Sequence, residues 1–468
     1  MVEILDGAGP ESSCNNAGSS TTLSLSQAAG AFSRKNMQNE DVENLHHTTA
    51  AAPASPSVLP TPAAGLSAIV PGRYDALLID QFGVLHDGKT IFPGVANCLE
   101  QLRRGSTSTP ETKLVLLSNS TKRTAATKAR LQKKMPEIDS DKFHDMVTSG
   151  ELCWHFFHDQ VKPEWKKAIV FDVADGYLPE FMKGLEGKLE FVEKVEDADF
   201  VLVIGLGGVH VESKKTKTTT AERKISDGEQ QQEAAATTTP ATSSTTYEVK
   251  QKLTFPFNHS GDASLESLDK KMESLLLEQE DERSPSISGR STTSSTVREE
   301  IGMVNGILQQ AKERNLPLVC VNPDLISAPR KDKTFDLVGG FLARRYEKKF
   351  GGTVLYFGKP HDNMYNFALK NVLEKQFGIT KKAKIAMVGD SLLHDVTGAN
   401  NAGIDSIWLV GGVHYEELGL TTVGPQEDGE GGSGFCSLFR SEEKKGLVSK
   451  LMKDFNATPT WLVPGFVW

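Results

Sequence analysis

One stretch limits the fold more than any other: residues 74–88, YDALLIDQFGVLHDG. An apolar run ends on a carboxylate, Asp80. Gly83 follows, then a second short apolar step and a polar turn. A buried strand that stops on an acid puts that acid at the carboxyl edge of a parallel sheet, where ligands bind in open α/β folds. Three later stretches share this form. KLVLL runs into Ser118, TVLYF into Gly358 and Lys359, and KIAMV into Gly389 and Asp390. An acid, a hydroxyl, an amine and a second acid are therefore expected to meet at one crevice. Short apolar strands alternate with helical patterns elsewhere, which predicts an α/β fold with a second α/β unit inserted into the first.

Composition separates packed from unpacked chain. Hydrophobic residues make up 38% of 468, which is low for a compact chain of this length, and they are unevenly spread. Residues 1–71 are rich in Ser, Ala, Pro and Asn and read as a disordered tail. Residues 212–296 contain KTKTTT, EQQQEAAATTT and STTSSTV, a low-complexity insert with little to bury. Within it, the apolar spacing of residues 265–280 suggests a short transient helix rather than a partner-binding one. The expected organisation is a core from 72–145 and 353–422, a cap over 146–352 and a tail at 423–468 that packs on the core. The glycine-rich part of that last segment, 424–434, is expected to be a flexible loop.

A net charge of -9 and a pI near 5.8 argue against a nucleic-acid binder, which needs a basic footprint. The five cysteines are scattered, with no CxxC pair, as suits reduced thiols inside a cell. No apolar stretch approaches the roughly 20 residues of a membrane helix. Glu3, Asp6 and Glu11 precede the first basic residue, Arg34, so a secretory signal is not expected. A cytoplasmic location is the expectation. A Ser-rich organelle presequence over 19–31 stays open as the alternative.

The four strand ends suggest a chemistry. An aspartate beside a divalent metal can attack phosphorus and form an aspartyl phosphate. Such a metal takes hard oxygen ligands, which Asp80 and Asp390 would supply. Lys359 would offset the charge of phosphate and carboxylate. Ser118 and Asn119 lie where a helix begins and could hold phosphate oxygens. Any one of these alone is more often a cap or a turn, but four in order are hard to assign to structure alone.

In these segments the chain resembles the haloacid dehalogenase-like hydrolase superfamily, in the class with an α/β cap inserted between the second and third motifs. The matching parts are DQFGVLHDG (80–88), LLSNSTKR (116–123), TSGE (148–151), NPD (322–324), GKP (358–360) and GDSLLHDVTGANNAG (389–403). The resemblance implies a Rossmann-like parallel core and a Mg²⁺-dependent phosphatase acting on a small phosphate ester. It implies Asp80 as nucleophile and metal ligand, the backbone carbonyl of Phe82 as a second ligand and Asp390 as a third. Ser118 would bind phosphate, Asn119 would add a backbone donor, Lys359 would balance charge and Asp395 would support the metal site from behind. A homodimer through the cap is a further expectation.

The chain departs from the family at Phe82. Phosphatases of this superfamily usually carry a second aspartate there, which protonates the leaving group and later activates water. Positioned acid–base catalysis is worth roughly 10²–10⁴-fold, so its loss matters. His86 or Asp87 is the tentative substitute. Superfamily members that cleave carbon–halogen bonds carry a tyrosine at this place, so a metal-independent dehalogenase-like hydrolase is one alternative. A weakly active or inactive protein that binds a phosphometabolite for regulation is the other.

Overall fold

The structure, a computed structural model, describes residues 59–105, 110–138, 140–173, 176–210, 251–252, 269–270, 273, 293–327, 336–420, 424 and 435–468. Two seven-stranded sheets organise them. The first is parallel throughout. In spatial order it runs Thr61–Pro62, Trp461–Val463, Asp405–Leu409, Ile385–Gly389, Ala76–Ile79, Lys113–Ser118 and Asp145–Thr148. The central strand ALLI is apolar at every position, and all four residues are fully buried. Both faces of that sheet are covered, which is why its strands read as continuous apolar runs instead of alternating ones.

The second sheet runs Val354–Tyr356, Leu318–Cys320, Phe200–Val203, Lys167–Asp172, Gly208–Val209 and Gln251–Lys252, with Glu190–Phe191 also paired to Lys167–Asp172. Its last two pairings are antiparallel. The helices Thr293–Glu313 and Gly339–Lys348 bury Ile301, Val304, Leu308, Phe341 and Leu342 against one face.

Several expected boundaries move. The fold begins before residue 72. Thr61–Pro62 adds an edge strand to the first sheet, and Leu66, Ile69 and Val70 enter its core. The segment to 145 is extended by Asp145–Thr148, which pairs with Lys113–Ser118 and belongs to the first sheet, not to the cap. Val354–Tyr356 pairs with Leu318–Cys320 and so belongs to the second sheet, although it was assigned to the core. The C-terminal segment does more than pack on the core. Trp461–Val463 forms a strand within it, hydrogen-bonded on both sides.

The tail up to residue 58, nearly all of the 212–296 insert and the glycine-rich loop after Gly424 lie outside the described residues. Part of the insert does make defined contacts. Residues 269, 270 and 273 are helical, Asp269 pairs with Arg345, and Glu273 pairs with Lys349. Asp269 therefore engages the packed structure, which a transient helix in a free loop would not. No helix among the described residues is long and apolar enough to cross a membrane.

Candidate active site

Register brings the expected groups together. Ile79 pairs with Val388 on one side and Leu116 on the other. The residues that follow on the three strands, Asp80, Asp390 and Ser118, therefore leave the first sheet at one carboxyl edge. Lys359 arrives from elsewhere, on the loop after Val354–Tyr356 of the second sheet. Its ammonium lies 2.6 Å from Asp80 Oδ1 and 2.7 Å from Asp395 Oδ1 and is almost fully buried.

Asp390 is held by close packing. Its Oδ2 accepts from the Val413 amide at 2.9 Å. A Cβ at Gly412 would stand 2.0 Å from its Cβ, and one at Gly83 would stand 2.0 Å from its Oδ2. Gly83 also has φ of +79°, which side chains other than hydrogen rarely adopt. Gly412→Ala must displace Asp390, and a shift of about 1 Å at a catalytic group can cost on the order of 100-fold in rate. We expect turnover to fall by about that factor and the divalent-cation dependence to weaken. A titration of activity against Mg²⁺ checks both, and an unchanged curve would show that Asp390 has room to move.

Asp80, Asp390 and Asp395 each offer an oxygen within 4.8 Å of the others. Three carboxylates face one ammonium. Burial pushes the Asp80 carboxyl up, to about 7, with Lys359 pulling the other way and Asp395 adding to the rise. Asp390 is pushed well above the usual range by burial first, then by Asp80 and Asp395. For Lys359, burial alone would lower the pKa, but Asp395 and Asp80 outweigh it and hold the amine above its ordinary value. The site thus gathers more carboxyl groups than one ammonium can balance, a set of hard oxygen donors of the kind that suits Mg²⁺. The Phe82 carbonyl accepts no hydrogen bond among the described residues, which leaves it open to a cation. Asp395 has both oxygens committed, one to Lys359 and the other to the Ser391 amide at 3.0 Å. That fits support from behind the metal rather than ligation.

The hydroxyl end is a tied loop. Ser118 is buried, and its Oγ accepts from the Ser120 amide at 3.3 Å. Asn119 binds the lysine loop through both ends of its amide. Its Oδ1 accepts from Lys359 N at 2.7 Å, and its Nδ2 donates to Lys359 O at 3.1 Å. Gly358 permits this contact, since a Cβ there would meet Asn119 Oδ1 at 2.6 Å. The helix that follows runs Thr124–Lys134, so Ser118 and Asn119 stand in the loop ahead of its first turn. Backbone groups of the loop, not the helix terminus itself, therefore face the crevice edge. Just past it, Arg123 pairs with Glu151 and lies over Trp154, while Lys122 lies over Tyr177.

The tentative acid–base groups are not placed for that work. His86 is buried inside its own turn and, through burial first, is lowered to about 4. Its Nδ1 accepts from Gly88 N at 2.9 Å, so the proton sits on Nε2, 3.0 Å from the Gln81 amide. Gln81 Oε1 is buried and has no partner among the described residues, and turning that amide over gives Nε2–H an acceptor. Asp87 accepts from the Lys89 and Thr90 amides and from Thr90 Oγ1, which is turn capping. Phe82 packs its ring edge-on against His86, 4.7 Å between centroids.

One carboxylate in the crevice was given no role from sequence. Asp324 follows the strand Leu318–Cys320 and accepts from Asn119 Nδ2 at 2.8 Å. His394 Nδ1 stands 3.3 Å from the same oxygen. The signal was present: LVCVNPD is another apolar run that ends on an acid.

Two family models match the chain. Residues 77–215 match the model described as haloacid dehalogenase-like hydrolase, and residues 356–426 match the one described as HAD-hydrolase-like. No curated protein matches in sequence. Among solved structures, a hydrolase of the haloacid dehalogenase-like family from Brucella suis is 22% identical over 75% of this chain and 90% of its own, with a TM-score of 0.47. A possible sugar phosphatase from Cytophaga hutchinsonii is 14% identical over 88% and 99%, with a TM-score of 0.49. A 4-nitrophenylphosphatase from Thermotoga maritima is 16% identical over 84% and 95%, with a TM-score of 0.42. With TM-scores below 0.5, these likenesses say nothing of chemistry.

Proposed function

Because the chain belongs to the haloacid dehalogenase-like hydrolases, we propose that it is a phosphatase that moves the phosphoryl group of a small ester first to Asp80 and then to water. The observation that carries this reading is the buried constellation of Lys359 between Asp80 and Asp395, with Asp390 beside them.

The Asp80 carboxylate attacks phosphorus in line with the ester oxygen. Ser118, the loop amides after it and the Lys359 ammonium hold the phosphoryl oxygens as charge builds on them. Asp395 fixes the ammonium from behind. A divalent cation held by Asp80, Asp390 and the Phe82 carbonyl would supply the positive charge that lets two anions approach. Water then releases phosphate from Asp80 and restores the carboxylate. The inserted unit, which contributes Asp324 to the crevice, covers the reacting groups and selects the ester.

A panel of sugar phosphates, nucleotides and cofactor phosphates tests the reading directly. Phosphate release from at least one class is expected with Mg²⁺, lost with a chelator and regained when Mg²⁺ is restored. Cleavage of a haloacid that withstands the chelator would replace the reading with carbon–halogen hydrolysis. Binding without release would favour a regulatory phosphometabolite site.

A further inference from the structure

We propose that Asp324, reaching the crevice from the second sheet, carries the proton in both halves of the reaction. This rests on the phosphatase reading above.

An alkoxide leaving group needs a proton, and the attacking water must lose one. Most polar groups near the site are already committed. Lys359 is clamped between two carboxylates that hold it charged. His86 and Asp87 are used up within their own turn. Both oxygens of Asp395 are bonded. The Tyr365 hydroxyl donates to the carbonyls of His394 and Asp395.

Asp324 differs from all of these. Its backbone is fixed: its amide donates to Asn322 Oδ1 at 2.9 Å. The helix Gly339–Lys348 starts so close that a Cβ at Gly340 would lie 2.3 Å from the Asp324 carbonyl oxygen. Its carboxyl is held by one oxygen only. Oδ1 accepts from Asn119 Nδ2, the amide that also grips the Lys359 backbone, and it faces His394 Nδ1. Oδ2 takes no hydrogen bond among the described residues, and the side chain is 29% exposed. One oxygen clamped and the other open is the geometry of a group that exchanges a proton with a reacting oxygen. His394 is a positioning residue on the clamped side.

The steps balance. First, a bond forms between Asp80 and phosphorus, and the phosphorus–ester oxygen bond breaks. The electron pair leaves on the ester oxygen, which takes the proton from the Asp324 carboxyl. Second, water oxygen bonds to phosphorus and the Asp80–phosphorus bond breaks. The water proton goes to Asp324. Over one turnover, ester and water become alcohol and inorganic phosphate, and Asp324 returns to its starting state.

Asp324→Asn in the full Mg²⁺-loaded chain is the test, because asparagine keeps the acceptor for Asn119 but cannot carry the proton. With 4-nitrophenyl phosphate, whose leaving group departs without a proton, we expect a burst of about one nitrophenolate per enzyme. Steady turnover then falls roughly 10²–10⁴-fold, with KM within about threefold of the wild type. An alkyl phosphate that the wild type hydrolyses should show no burst and at least as large a loss. Unchanged kcat on both esters, or a change confined to KM, overturns the assignment. Should the asparagine variant not fold, Asp324→Ala with added formate replaces it. Recovery of turnover with formate supports the proton role, and a folded variant that formate does not rescue overturns it. Absence of phosphate release by the wild type on every ester would overturn the phosphatase reading and this assignment with it. Turnover that survives Asp324→Asn overturns this assignment alone.

Discussion

Asp80→Asn is expected to abolish turnover while making the metal-free protein harder to unfold. The catalytic loss follows from removing the proposed nucleophile, an effect on the order of 10⁴-fold or more. The gain in stability follows from the burial of the carboxylate, with Asp395 adding to it. The folded-state pKa of Asp80 is raised from 3.8 to about 7, chiefly by burial. A raised value means that the folded chain favours the protonated carboxyl. That contribution to stability is fully present below about pH 4 and is lost as pH rises through about 7. At pH 7.5 the wild type therefore holds an ionised group that its surroundings disfavour, and asparagine removes it. The expected gain is roughly 1–3 kcal/mol, several degrees in Tm. It should vanish near pH 4, where the wild-type carboxyl is already protonated, and it should shrink when Mg²⁺ neutralises the site. Thermal melts at the two pH values, with chelator and with Mg²⁺, check each part. A variant that loses stability at pH 7.5 would mean that the bond to Lys359 outweighs the cost of burying the charge.

Asp269→Ala is expected to cost about 3–5 kcal/mol, the cost of leaving a buried charge without its partner. Arg345 is fully buried in the helix Gly339–Lys348. It donates from Nε to Asn305 Oδ1 at 3.1 Å and pairs with Asp269 through Nη1. Its Nη2 has no partner among the described residues, none of which stands ready to replace Asp269. Glu273→Ala provides the contrast. Its partner Lys349 is 40% exposed and Glu273 is 42% exposed, so that pair should be worth about 0–1 kcal/mol. Urea unfolding of both variants separates the cases. In an Arg345→Met background, Asp269→Ala should cost little. An equal cost in both backgrounds would assign the effect to something other than the buried guanidinium.

The site was largely legible because its chemistry sits where strands stop. Asp80, Ser118 and Asp390 each follow an apolar run, and a parallel sheet turns that pattern into a common edge. The boundaries were less legible for definite reasons. Leu66, Ile69 and Val70 are only three apolar residues among Ser, Ala and Pro, too few to show a period. Val354–Tyr356 falls within the expected core segment 353–422, but hydrogen bonds to Leu318–Cys320 decide its sheet, and pairing leaves no local trace in sequence. Asp269 lies 76 residues from Arg345; the apolar spacing of 265–280 marked a short helix there, but a partner so distant in sequence leaves no local sign. His86 and Asp87 have the residue types of an acid–base pair. Their hydrogen bonds within the turn show that residue type alone does not tell which way a side chain turns.

The lysine's place of origin has a mechanical side. Gly358 and Lys359 lie within three residues of Tyr356, the last residue of a strand in the inserted unit, yet the ammonium is seated against aspartates of the other. Any swing that parts the two units is thus geared to the cation itself. On the proposed function, opening the door to release product would also loosen the charge assigned to grip it, so that ejection and disarming would be a single movement.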